Sequence, residues 1–485
     1  MSYLKLIEAS EELLRSGQVF KAARNFKKIP LSKVSTNDAI RVARLARRTG
    51  QISAGIKVLQ RQISKKQTVD RQSLEFKAEY ANLLTLIGCV TEALDVLKHV
   101  TTHSVSEALM AKAWCYFEVW EHSKAIPLLK KYVRVQKDEY LRLAGDVNLA
   151  EALLGAGDID SAIAISTRAA NEAARKSYAR LLANSLHIRA QAFEQRRDLT
   201  NSSKDLNQAM EIFGDSQTSD AFLIHRQIAI NESLRSKRTA ELAKTMEEAV
   251  ALGEFESHRH CAYKSLQIKF NDELFNHLYF GTPYEEFRSQ IRRRFPRAKI
   301  EKRYVWGDKN GAVLDLSELQ VHFNRKPIEI TPQIHRMLMT LLRDFYNPVR
   351  VGGIYSSGFP GSHFIADHSP TVVHQALKRL RTWFQENSIP LSVKCTKRRY
   401  QLIQLKPMGI VLSKDSFQAL ENLSTKQKLQ QAFGTGNEFG MIEAIEVLGL
   451  SKASTHRALV SEMMSGSIEK RYQGRSTKYV IKAVG

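Results

Sequence analysis

Apolar residues recur at i, i+3 and i+4 from residue 1 to about 290, the period of helices with one buried face. Prolines are scarce there: Pro30, Pro127 and Pro283. The N-terminal stretch MSYLKLIEASEELLRS carries charges within its apolar pattern and has no small-residue cleavage site, so it reads as an amphipathic helix and not as a signal peptide. A spacing repeats along this region. Five, nine and twelve residues after a turn position come a small residue, a large apolar one and another apolar one. From Gly17 these are Ala22, Phe26 and Ile29; from Gly88, Ala93, Leu97 and Val100; from Trp120, Ala125, Leu129 and Tyr132; from Gly157, Ala162, Ser166 and Ala169. Weaker copies start at Gly50 (Gly55, Leu59, Gln62), Arg197 (Ser202, Leu206, Ala209) and Lys237 (Leu242, Met246, Ala249). The starts are 33, 38, 32, 37, 40 and 40 residues apart. A small residue lets two helices approach, and the large ones on the same face fill the seam with the next pair.

This spacing resembles the tetratricopeptide repeat, best in LLRSGQVFKAARNFKKI (13–29) and LLTLIGCVTEALDVLKHV (83–100). The periods drift from that family's ~34 residues. Ser166 stands where a large residue is expected, and Leu242 where a small one is. The expectation is a degenerate α-solenoid of about seven helical hairpins over residues 1–290, with a concave face for a protein or peptide partner. An unrelated α-bundle is the alternative. His258 and His260 lie beside Cys261 without a second cluster to complete a metal site, so they read as surface residues of a helix.

The period changes at RSQIRRRFPRAKIEKRYVW (288–306). Arg292, Arg293, Arg294, Arg297 and Lys299 form a dense basic run, and Pro296 breaks the helix. Residues 291–311 read as a basic linker, either a phosphate contact or a solvated hinge. Strand-like runs at Leu319–Phe323 and Ile328–Ile330 then flank the turn Asn324-Arg325-Lys326-Pro327. Thr331 and Pro332 open a helix. After the Gly/Ser-rich loop VGGIYSSGFPGSHFIADH, Ser369 and Pro370 open another, whose Val373, Leu377, Leu380 and Phe384 share one face. His374, Gln375, Lys378 and Thr382 share the other, with Arg379 and Arg381 at its borders. LSVKCTKRRYQLI (391–403) gives two strand-like pieces around Lys397-Arg398-Arg399. This order, with EITPQIHRMLMTLL, LKRLR and RRYQLI, resembles the winged-helix effector domain of OmpR-like response regulators over residues 312–406. The resemblance implies that the helix at 370–386 enters the major groove and that the hairpin at 391–403 is a wing. The family's wing usually ends Gly-x-Gly-Tyr; here Lys-Arg-Arg precedes Tyr400. Its receiver domain is absent, so control by aspartyl phosphorylation is not implied. By chemistry, His374, Gln375 and Lys378 offer donors and acceptors to base edges. Arg379, Arg381, Lys397, Arg398 and Arg399 suit phosphates, which position without specifying.

After a linker at 407–423 the order recurs in residues 424–485. STKQKLQQAF reads as a helix with Ser424 as cap. FGMIEAIEVLGL is a short second helix ending at Gly449, and Ser451 caps KASTHRALVSEMMSG. Strand-like runs Ile468–Tyr472 and Lys478–Ile481 flank Gln473-Gly474-Arg475-Ser476-Thr477. LGLSKASTHRALVSEMM resembles the turn and recognition helix of bacterial winged helix-turn-helix regulators. Thr455 and Leu459 would face the core; Lys452, Ser454, His456 and Arg457 would face outward. Arg471, Arg475, Ser476 and Lys478 would meet phosphates from the hairpin.

Charge sharpens this picture. The net charge is +23, and residues 291–485 hold 31 Lys and Arg against 15 Asp and Glu. Such a segment attracts polyanions. Four scattered cysteines fit reduced thiols and neither a disulfide framework nor zinc. No uncharged apolar run reaches the ~18 residues that span a bilayer. No Walker loop, GxSxG or HExxH is present, and GTGNEFG (434–440) lacks a dinucleotide site's strand context. The fold class expected is mainly α, an N-terminal α-solenoid followed by two α+β winged-helix domains. The function expected is that of a cytoplasmic, bacterial, non-enzymatic transcription regulator that binds double-stranded DNA, without metal or cofactor, and takes a protein or peptide on its solenoid. The alternative is an RNA-associated or protein-scaffolding adaptor.

Overall fold

The computed structural model describes residues 3–15, 18–65, 71–98, 105–213, 219–318, 320–360, 362–413, 416, 425–434, 436–448, 450–464, 468–473 and 476–481. The chain divides into two compact units with their main boundary between Lys299 and Ile300; residues 87–89 cluster with the second. No helix among the described residues is long and apolar enough to cross a membrane.

Among its described residues the first unit has helices and no strand. Its hairpins are α1 (Tyr3–Arg15) with α2 (Val19–Phe26), α3 (Ala39–Arg48) with α4 (Ile52–Lys65), and α5 (Arg71–Ile87) with α6 (Val90–Leu97). Next come α7 (Ser106–Glu118) with α8 (His122–Val135), α9 (Glu139–Ala156) with α10 (Ile159–Arg175), α11 (Ala179–Gln195) with α12 (Leu199–Phe213), and α13 (Ser219–Ser236) with α14 (Ala240–Leu252). Helices α15 (Phe255–Ile268), α16 (Asp272–Phe280) and α17 (Glu285–Arg294) follow. These are the seven hairpins the spacing predicts; in α1–α2, α3–α4, α7–α8, α9–α10, α11–α12 and α13–α14 the two helices pack on each other. The turn positions Gly50, Gly88, Trp120, Gly157, Arg197 and Lys237 all have positive φ, the left-handed residue that ends a helix and starts the next. Gly17 lies outside the described residues.

The repeat positions are the seam. Ala22, Ala93, Ala125, Ala162, Ser202 and Leu242 are buried, as are Phe26, Leu59, Leu97, Leu129, Ser166 and Leu206. A Cβ on Gly55 would sit 2.9 Å from Leu83 Cδ1 and 3.1 Å from Ala46 Cβ, so helices close around it. Ser166 fits the seam because its hydroxyl turns back, donating to Ala162 O at 2.6 Å. Val100 lies outside the described residues.

The second unit holds three sheets and six helices among its described residues. Strands β1 (Arg303–Gly307), β2 (Ala312–Asp315), β3 (His322–Phe323) and β4 (Lys326–Pro327) precede α18 (Pro332–Leu342). Then come β5 (Val349–Arg350), α19 (Val351–Gly358), α20 (Ser369–Glu386), β6 (Leu391–Thr396), β7 (Arg399–Gln404) and β8 (Met408–Ser413). The last part has α21 (Thr425–Phe433), β9 (Glu438–Gly440), α22 (Met441–Leu448), α23 (Lys452–Met464), β10 (Ile468–Gln473) and β11 (Ser476–Ile481).

One sheet has the order β1-β8-β2-β3-β4, the second β5-β7-β6, the third β10-β11-β9. The runs α18-β5-α19-α20-β6-β7 and α21-β9-α22-α23-β10-β11 therefore share one topology. Each is helix, strand, two helices and a hairpin, and each sheet places the last strand between the first and the middle one. Each run also has its own core. Leu338, Ile354, Val373, Leu377, Leu380 and Phe384 are buried in the first module, and Leu429, Phe439, Leu448, Leu459, Ile468 and Tyr479 cluster in the second.

Several boundaries differ from the sequence reading. Residues 291–311 are not a linker throughout: α17 continues to Arg294 and β1 begins at Arg303. Within 407–423, β8 pairs with β1 antiparallel and with β2 parallel, a closure that only long-range register supplies. The strands around Asn324 are shorter and shifted, leaving a two-residue turn in which Asn324 and Arg325 both have positive φ. Leu319 lies outside the described residues. VGGIYSSG is a helix, α19, because Ile354 and Tyr355 are buried and Gly358 lets Met337 of α18 close against it. Packing there overrides the low helix propensity of glycine. Thr331 caps α18, its Oγ1 accepting from Ile334 N at 3.4 Å. Ser369, by contrast, is already helical; its Oγ accepts from Ile365 N at 2.8 Å and holds the preceding turn.

Candidate nucleic-acid interface and repeat groove

In the first module, α20 turns Val373, Leu377, Leu380 and Phe384 inward, and its opposite face is exposed. Gln375 and Lys378 are exposed there, with no hydrogen-bond partner among the described residues. His374 is exposed as well, but its Nε2 lies 2.7 Å from the Tyr400 hydroxyl, which ties it to β7. Burial, then Cys395, pushes the Tyr400 phenol up to about 12. Arg379 donates to Gln333 Oε1 at 3.0 Å and stays exposed. Arg381 and Arg399, expected as phosphate contacts, have structural engagements instead. Arg381 donates to Val393 O at 2.8 Å and locks α20 to β6, and Arg399 donates to Asn347 Oδ1 at 2.8 Å. Both are half-buried.

The hairpin tip is Lys397-Arg398. Both are exposed and both have positive φ, 50° and 63°. A two-residue hairpin loop of this form normally takes Asn-Gly, because side chains disfavour the left-handed region. Here two cations occupy it.

In the second module Ser451 caps α23, its Oγ accepting from Ser454 N at 3.2 Å. Thr455 and Leu459 are buried, as the pattern predicts. Lys452, His456 and Arg457 are exposed on the opposite face. Ser454 is half-buried, and Arg457 donates to its hydroxyl at 3.3 Å. The hairpin is less basic than its letters. Arg471 lies 3.6 Å from Glu438 and Lys478 lies 3.8 Å from Glu443, pairs that are weak when exposed but offset the charge. Ser476 begins β11; Arg475 lies outside the described residues. The stretch GTGNEFG holds β9, the edge partner of β11, with Gly434 and Gly436 at positive φ.

The first unit has a groove of about 1500 Å³, lined by the first helices of successive hairpins, α7, α9, α11 and α13, and by α15 and α17. Its far edge is α17. Trp120 stacks on Tyr284 at 5.8 Å and meets Phe287 edge-on at 4.8 Å, while Gln290 donates to Gly155 O at 2.8 Å. Sequence reasoning missed the groove floor. His187, Gln191 and Glu194 share one face of α11, and Ser257, His260 and Lys264 one face of α15. That polar stripe on helices otherwise rich in alanine and leucine was the available signal. Lys264 pairs with Glu194 at 2.6 Å, and Arg226 of α13 donates to Ser257 Oγ at 3.0 Å. Burial, with help from the Arg226 charge, pushes His187 down to about 3 and His260 well below the usual histidine range. His258 and His260 are thus half-buried rather than surface residues, and Cys261 is buried. Among the described residues no cluster of three or more His, Cys, Asp or Glu could hold a metal ion.

No family model and no curated protein matches this sequence. Among solved structures, the chain is similar to a tetratricopeptide repeat protein from Parabacteroides merdae (16% identity, 57% of this chain and 96% of that one, TM-score 0.34). It is also similar to the P58(IPK) TPR domain (15%, 78% and 98%, TM-score 0.20) and to the APC/C hetero-tetramer Cut9-Hcn1 (11%, 93% and 95%, TM-score 0.31). At such TM-scores these likenesses carry no argument. The helical repeat rests on the hairpins, turns and seams described above.

Proposed function

We propose that the chain is a DNA-binding regulator whose helical-repeat unit holds a protein partner. One observation carries the reading: the same helix–strand–helix–helix–hairpin topology occurs twice, each time with polar and basic residues exposed on the third helix. This order is that of a winged helix-turn-helix, in which the third helix docks in the major groove. Gln375, Lys378, Lys452, His456 and Arg457 are the base-facing candidates, and Arg379, Lys397 and Arg398 the phosphate contacts. Two linked modules add affinity through effective concentration. The repeat unit contributes an extended concave surface, the usual asset of such stacks.

A second reading has an observation of its own. Glu438 and Glu443 beside Arg471 and Lys478 moderate the second hairpin's charge. That favours a protein contact at this module and an adaptor role for the chain. Duplex binding by the full chain separates the two. Lys378→Glu and Arg457→Glu should each reduce preference for a selected duplex over scrambled competitor. If only Lys378→Glu does so, the second module is the protein-contacting one. If neither variant changes binding, the DNA reading fails.

A further inference from the structure

The floor of the repeat groove contains an arginine without a counter-ion among the described residues. Arg226 is 7% exposed, its one hydrogen bond goes to the Ser257 hydroxyl, and its buried Nε has no acceptor. Of the other buried or half-buried cations on the floor, Lys264 is matched by Glu194 at 2.6 Å; at the rim Arg180 is matched by Asp220 at 2.8 Å, while exposed Arg197, Lys237, Arg293 and Arg294 also line the groove. Buried charges are stable when paired, and an uncompensated one is costly. Glu151 of α9 lines the same space, exposed to it, and stands in the field of Arg226 without an ion pair. His187 and His260 line the same space and feel the Arg226 charge; His187 is already engaged, its Nε2 lying 3.3 Å from Gln191 Nε2.

Resting on the reading that the repeat unit binds a protein, we propose that Arg226 receives an aspartate or glutamate side chain from an extended segment of that partner. A single carboxylate fits better than a phosphate. On the buried floor Arg226 is the one unmatched cation among the described residues, the others lie exposed at the rim, and Glu151 disfavours a dianion beside it. The volume of about 1500 Å³ exceeds the ~300–1,000 Å³ of small-ligand pockets. At one end Trp114 and Tyr140 line the groove while 49% and 42% exposed, a shelf for an apolar neighbour of the acidic residue. The partner segment is therefore acidic with an adjacent apolar or aromatic side chain.

The test is selection of random dodecapeptides, displayed without free C-termini, on the immobilised full chain. Retained peptides should share an acidic residue beside an apolar one. Replacing that acid by its amide in a synthetic peptide should weaken binding at least about thirty-fold. The same replacement should leave binding to R226M unchanged, and amidating the peptide's C-terminus should change nothing. Retained peptides without an acidic preference, or an equal loss in R226M, overturn the site. A loss on C-terminal amidation overturns the side-chain source. If no peptide is retained, the partner-binding reading falls with it. The peptide-side substitution uses the unaltered protein, so the outcome does not depend on how R226M folds.

Discussion

Lys397 and Arg398 occupy a turn whose backbone suits asparagine and glycine. Left-handed geometry costs roughly 1 kcal/mol or more for each ordinary side chain, so their presence opposes stability and favours charge at the tip. Placing asparagine and glycine there, in the double variant K397N/R398G, should raise the melting temperature. It should also weaken duplex binding and flatten its salt dependence by about two phosphate contacts. A variant that is stabilised yet binds unchanged would remove this tip from the interface. The histidines of the repeat unit make a second prediction. Burial holds His122 and His277 down to about 4 and His187 to about 3. Unfolded, each takes its proton near 6.5, so the unfolded state binds more protons between the two values. Stability is therefore complete above about pH 6.5 and declines as pH falls toward 4, which thermal melts across that range will show. Residue roles were partly legible. The inward faces of α20 and α23 follow from periodicity, whereas Arg381, Arg399 and Arg471 were read from charge alone. Their actual partners, Val393 O, Asn347 and Glu438, come from other elements that spacing does not bring together.

At the scale of elements, the repeat was the most legible feature, because its turn residues and seam residues recur at fixed offsets. Gly55 tests it. The side chain of Gly55→Val would collide with Leu83 and Ala46, and overpacking of this kind costs about 1–3 kcal/mol. Urea unfolding should show that loss, while a substitution at exposed Ser53 should show none. Elements held by distant partners were not legible. Strand β8 pairs with β1 and β2, about a hundred residues earlier. Strand β9 has three residues and is defined by its pairing with β11. Helix α19 carries three glycines and is helical through its packing. Local pattern fails where tertiary context decides.

At the scale of the whole molecule, the division at residue 299 follows the change in charge and in period. The repeat unit carries the groove and, at its C-terminal end, the basic run at 292–299; the unit after it holds nearly half of the positive excess in under two-fifths of the chain. The proposed function requires the second unit to bind duplex DNA through both modules. Lys378, Arg379, Lys397, Arg398, Lys452 and Arg457 are six exposed cations of its two modules. The most direct measurement is a salt titration of the full chain on a duplex selected from genomic fragments, with scrambled duplex and single-stranded RNA as competitors. Three phosphate contacts, Arg379, Lys397 and Arg398, predict an affinity loss of about forty-fold between about 50 and 200 mM salt, with preference for the selected duplex retained at each step. Binding that is indifferent to salt and to scrambling, or a preference for the single-stranded RNA, would contradict it.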